Sequence, residues 1–130
     1  MASNRILLAT HQEAINEVVG NLLTSAGYEV RMTLHPSEVV AIVESFSPEV
    51  VFTELIMPEL DGVKLGGQLS QRFPNLKIVF IDELDEDIQR ALLDRGIACN
   101  VLKPLFEKQD LFDLVSYLMP GSDHRHRIAH

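Results

Sequence analysis

Four apolar runs end in groups able to do chemistry: Thr10–His11, Thr53–Glu54, Asp82–Glu83 and Lys103–Pro104. Glu54 closes the run in VVFTELIMPELDG, Val50 to Gly62. A carboxylate there can neutralise a cation, hold a metal or attack an electrophile. Lys103 supplies a cation, and the Glu54 side chain is long enough to approach it directly. The residues therefore predict a Glu54–Lys103 ion pair, joined by Asp82 and with His11 as a further member. Partly buried, such a group is a structural network rather than a catalyst. Titration of His11 gives it a route to pH sensitivity; the plainer reading is a polar surface histidine. His11, Glu54 and Asp82 are also zinc-ligand types, a minor alternative because coincident polar residues are commoner than a complete coordination set.

The elements that must position these residues follow from periodicity. Apolar runs fall at Arg5–Ala9, Tyr28–Thr33, Glu49–Glu54, Lys77–Asp82 and Ala98–Leu102. The first, third and fourth are near-continuous and rich in branched residues, as strands covered on both faces are. The second alternates more, as an edge strand does. Helical stripes lie between them: Ile15, Val18, Val19, Leu22, Leu23 and Ala26, stopped by Gly27; then Val39, Ile42, Val43 and Phe46, between Pro36 and Pro48. Asp61 to Phe73 is weaker, with Gly66 and Gly67 inside it. Each glycine costs about 1 kcal/mol relative to Ala. Ile88, Ala91, Leu92 and Arg95 precede Gly96, and Leu111, Leu114, Val115 and Leu118 precede Pro120–Gly121.

The order is β-α five times over. It predicts an α/β fold: a three-layer (βα)5 flavodoxin-like sandwich, with a parallel five-stranded sheet of order 2-1-3-4-5. Ligands of such sheets collect at the carboxyl ends of the strands, by the switch point between strands 1 and 3. The four terminal pairs belong on that rim.

Composition bounds the rest. The 130 residues fit one domain, with hydrophobic and charged fractions of 46% and 23%. A net charge of −8 argues against nucleic-acid binding, which needs a basic face. The basic cluster HRHRIAH reads as a frayed end or the start of a linker, with a terminal metal or nucleic-acid contact as a minor alternative. The domain is set at residues 4–119 and the tail at 120–130. Cys99 is single and expected to be a buried small side chain. No signal peptide or membrane span is expected, and the protein is expected to be cytoplasmic. Asp61–Gly62 reads as the cap of the third helix. Glu83, Asp85, Glu86 and Asp87 read as a solvated acidic run favouring a helix start.

LIMPELDG after strand 3 and VLKP at strand 5, in this (βα)5 order, resemble the receiver domains of bacterial two-component response regulators. The likeness spans about residues 4 to 119. It implies an acidic pair after strand 1 and an Asp ending strand 3 that hold Mg²⁺, the Asp accepting a phosphoryl group from a histidine kinase. It also implies a Ser or Thr ending strand 4, a strand-5 Lys and a switching aromatic. The physical logic is in-line transfer with three oxygens neutralised by metal and lysine.

Residue by residue, the acidic pair falls on Thr10 and His11, and the acceptor on Glu54, one methylene longer than Asp. The hydroxyl falls on Asp82, the aromatic on Asn100 and the lysine on Lys103, followed by Pro104. The resemblance implies a cis Lys103–Pro104 bond. Only the lysine is matched. Mg²⁺ wants carboxylate oxygens, so its binding is expected to be lost or weak, and no other cofactor is expected. A phosphoryl group would also face Asp82. The expectation is a pseudo-receiver, phosphorylation-independent and acting by protein–protein interaction. The alternative is a receiver phosphorylated by a histidine kinase through an unconventional acceptor. Expected partners are an output domain, a histidine kinase or another signalling protein, or a second copy through the face of the fourth helix, fifth strand and fifth helix; neither nucleic acid nor membrane is expected. An enzyme is not expected: no glycine-rich phosphate loop, nucleophile–base spacing or flavin-binding run is present.

Overall fold

The computed structural model describes residues 4–57, 60–98 and 100–120, with side chains omitted at 56, 57 and 60. The strands are β1 (Arg5–Ala9), β2 (Glu29–Thr33), β3 (Val50–Thr53), β4 (Lys77–Ile81) and β5 (Asn100–Leu102). The helices are α1 (Glu13–Ser25), α2 (Val39–Phe46), α3 (Gly62–Arg72), α4 (Glu86–Asp94) and α5 (Lys108–Leu118). The sheet is parallel throughout and runs β2-β1-β3-β4-β5, the expected order.

The near-continuous apolar runs have the expected cause. Alternate residues point to opposite faces of a strand. Ile6, Leu8, Val50 and Phe52 pack with Val19 and Leu23 of α1 and Leu111 and Val115 of α5. Leu7, Ala9 and Val51 pack on the other face with Val43 of α2, Leu65 and Leu69 of α3, and Leu92 of α4. Burying one such aliphatic side chain contributes about 1.5–3 kcal/mol. This two-sided burial is what holds the ends of β1 and β3 in register beside each other.

Elements differ from expectation mainly at their ends. The fifth strand is three residues, Asn100–Leu102, rather than starting at Ala98; Cys99 lies outside the described residues. A 3-10 turn, Pro36–Glu38, precedes α2, with Pro36 at its first position, where a missing N–H costs nothing. An unexpected two-residue antiparallel pair, Ile56–Met57 with Leu60–Asp61, leads into α3. The basic tail, residues 121–130, also falls outside the described residues.

The glycines of α3 do more than weaken a helix. A Cβ on Gly62 would lie 2.4 Å from the Glu54 carbonyl oxygen and 2.5 Å from Leu55 Cα. Its N–H donates to the Leu55 carbonyl at 2.7 Å. Gly62 thus lets the start of α3 press against the backbone that carries Glu54. Asp61 Oδ1 caps the same helix, accepting from Val63 N at 2.9 Å and Lys64 N at 3.4 Å, as expected. Gly66 faces Ile97 and Phe80, where a Cβ would sit 3.3 and 3.4 Å from their side chains. Gly67 faces open space.

Two substitutions separate these roles. Gly67→Ala should stabilise the domain by about 0.4–1 kcal/mol, whereas Gly62→Ala should destabilise it by about 1–3 kcal/mol through backbone overlap. Urea unfolding of the two variants checks the sign of each change.

Candidate functional site

Glu54 follows β3 and is 5% exposed. The pairing of β1 with β3 aligns Ala9 with Thr53, so the residues just beyond both strands are neighbours. The carboxylate turns toward β1. Oε1 accepts from His11 N at 2.9 Å and lies 2.8 Å from His11 Nδ1. Oε2 accepts from Gln12 Nε2 at 2.8 Å. Both oxygens of a buried acceptor are therefore satisfied by one loop, the loop between β1 and α1. In the Nδ1–H tautomer the ring donates to this carboxylate oxygen. Hydrogen bonds to an ionised group are shorter and stronger than neutral ones.

Thr10 is 1% exposed and belongs to a second network. Its Oγ1 lies 3.0 Å from both the Gln12 carbonyl and Asn16 Oδ1, its one proton serving either, and it accepts from Gln12 N at 3.2 Å. Asn16 Nδ2 donates to the Thr10 carbonyl at 3.3 Å and the Thr33 carbonyl at 3.1 Å. Thr33 Oγ1 donates to Glu38 Oε1 at 2.7 Å. This chain ties the ends of β1 and β2 to α1, and it fixes the loop that holds Glu54.

The expected Glu54–Lys103 ion pair does not form. Lys103 is exposed and enters none of the ion pairs among the described residues. The reason is topological and energetic. β4 stands between β3 and β5, whereas β1 is the immediate neighbour of β3. Backbone and amide N–H groups already in place cost less to bury than an ammonium stripped of water. Asp82 does not join either: it is half-buried, and its Oδ1 accepts from Glu83 N at 2.8 Å. His11 alone of the expected members meets Glu54. The zinc set also fails to assemble, because no three His, Cys, Asp or Glu side chains converge to hold a metal among the described residues.

Asn100 is half-buried and sits at the amino end of β5, away from the rim. Its Nδ2 donates to the Ile78 carbonyl at 3.1 Å. The edge-strand position equivalent to the family's switching aromatic is pinned to the adjacent strand. The Lys103–Pro104 bond is trans, contrary to the implied cis form. Trans is favoured by about 0.5–1 kcal/mol in X–Pro bonds unless the surroundings demand otherwise. Sequence reasoning missed Gln12 and Asn16. Gln12 is adjacent to His11, and the expected strand order placed it beside Glu54. That was the available signal.

Comparison with known proteins gives the family. The response regulator receiver domain model matches residues 6–116. The chain is 30% identical over 122 residues to the chemotaxis protein CheY of Treponema pallidum, covering 90% of this chain and 84% of that protein. It is 31% identical over 123 residues to the sensor kinase CckA of Brucella abortus, but spans 13% of that protein. It spans 44% of the response regulator MprA of Mycolicibacterium vanbaalenii, at 30% identity over 101 residues. Among solved structures, Vibrio cholerae chemotaxis protein CheY4 superposes with a TM-score of 0.82 at 18% identity, covering 91% of this chain and all of that one. The chain belongs to the response regulator receiver domain family, the signalling modules of two-component systems.

Receivers normally bind Mg²⁺ at their phosphorylation site, and the residues here do not fit that ion. Both Glu54 oxygens face N–H donors, Thr10 offers a hydroxyl engaged within its own loop, and His11 offers a nitrogen. A hard cation at this place would compete with three N–H donors for one carboxylate.

The geometry predicts unequal roles for the two charged residues. Glu54→Ala leaves the N–H donors of His11 and Gln12 unpaired and should cost about 1–3 kcal/mol. Lys103→Ala should stay within about 0.5 kcal/mol of the parent. Chemical denaturation of both variants measures the contrast.

Proposed function

We propose that this chain is a two-component receiver that acts by protein–protein contact, without phosphorylation of Glu54 and without Mg²⁺. The observation that carries this reading is the engagement of both Glu54 oxygens by His11 and Gln12. A nucleophilic carboxylate of this family needs a metal beside it, and the chemistry of Thr10 and His11 opposes the metal. Asn100, tied to Ile78, supports a locked fifth strand rather than a switching one.

The supporting surface for partners is the face of α4, β5 and α5. Leu93 is 61%, Leu105 99% and Tyr117 79% exposed. Apolar groups left this open suit a protein partner, a histidine kinase, an output domain or a second copy of the chain. The net charge of −8 disfavours nucleic acid, and no described helix is long and apolar enough to cross a membrane. We infer no enzymatic turnover of its own.

Beryllofluoride, which mimics a phosphoryl group on a carboxylate beside Mg²⁺, tests the reading. Titration followed by amide NMR should give no saturable shifts at Glu54 or Lys103. Saturable, Mg²⁺-dependent shifts at those residues, lost in Glu54→Gln, would overturn it.

A further inference from the structure

The contacts that engage the Glu54 carboxylate also orient a second group, the His11 ring. His11 Nδ1 and Glu54 Oε1 are 2.8 Å apart, and the side chains are 38% and 7% exposed. A buried carboxylate that accepts from one ring nitrogen fixes the tautomer and leaves the other nitrogen with its lone pair. With the proton on Nδ1, facing Glu54, the lone pair is on Nε2. Nε2 makes no hydrogen bond among the described residues. His11 N also donates to the same oxygen at 2.9 Å, so backbone and ring are held together. A nucleophile oriented by a third group within hydrogen-bond reach is the recurring arrangement of covalent catalysis. Among the described residues, His35 is the other histidine, and no ion pair holds its ring.

We propose that His11 is a phosphoryl acceptor, taking the group on Nε2 with Glu54 as its positioning residue. The donor class is a phosphoramidate or acyl phosphate, a choice that rests on the two-component reading proposed above. The proposal goes beyond the reading above, which concerns Glu54. In the step, the Nε2 lone pair attacks phosphorus and the N–P bond forms. The bond from phosphorus to the donor's leaving atom breaks, and its electron pair departs with the amine or carboxylate. The ring becomes a phosphorylated imidazolium that keeps its proton on Nδ1. The Glu54 carboxylate opposes the new positive charge without itself taking the proton.

Incubation of the full chain with potassium phosphoramidate in the presence of EDTA tests this. Intact mass should show one added phosphoryl group, stable to base and labile to acid, mapped to His11 and absent in His11→Ala. Glu54→Gln should slow transfer by about 100-fold, the scale of a lost positioned acid–base partner. It should also shift the neutral His11 ring toward the Nε2–H tautomer by ¹⁵N NMR, which a merely structural role would not do. Circular dichroism confirms that both variants fold. No adduct, or an adduct on other histidines that survives His11→Ala, overturns the proposal alone. A base-labile adduct on Glu54 that requires Mg²⁺ overturns it together with the reading of Glu54 above.

Discussion

A carboxylate buried at the end of a central strand must be satisfied where it lies, because an unpaired charge in the interior costs several kcal/mol. In this receiver the requirement is met by a single neighbouring loop. His11 contributes its backbone N–H and its ring, and Gln12 contributes its side-chain amide. The rest of the rim follows from that choice. With both oxygens turned to donors of the loop after β1, Glu54 faces away from β5, and Lys103 stays in water. Asp82, without a partner across the rim, closes on its own following N–H.

The packing beneath makes this contact possible. β1 and β3 are held side by side with Ala9 opposite Thr53, and both ends are buried by helices on two faces. Gly62 brings α3 against the Glu54 backbone, and the Thr10–Asn16–Thr33 network holds the opposing loop. Each side of the Glu54 contact is therefore anchored independently. That rigidity suits a fixed charge, and it also suits a histidine held in one tautomer.

The architecture was legible because its signals are local. β-branched runs, helical stripes and the stops at Gly27 and Gly96 each mark one element, and both glycines do adopt positive φ. The cap at Asp61 was legible for the same reason. The start of β5 was not, because a three-residue edge strand carries little pattern. The destination of Glu54 was misread for a different reason. Charge type pointed to Lys103, while the strand order, correctly expected, made the β1 loop the nearer neighbour. Opposite charge attracts weakly across a solvated rim, and short N–H donors already in place win.

The central claim is that Glu54 is coupled to His11 and not to Lys103. Double-mutant cycles measure this directly. The pair Glu54→Gln and His11→Ala should show a coupling energy of about 1 kcal/mol or more, and the pair Glu54→Gln and Lys103→Ala should add within about 0.5 kcal/mol. The reverse order, with strong coupling to Lys103 and none to His11, would contradict the account.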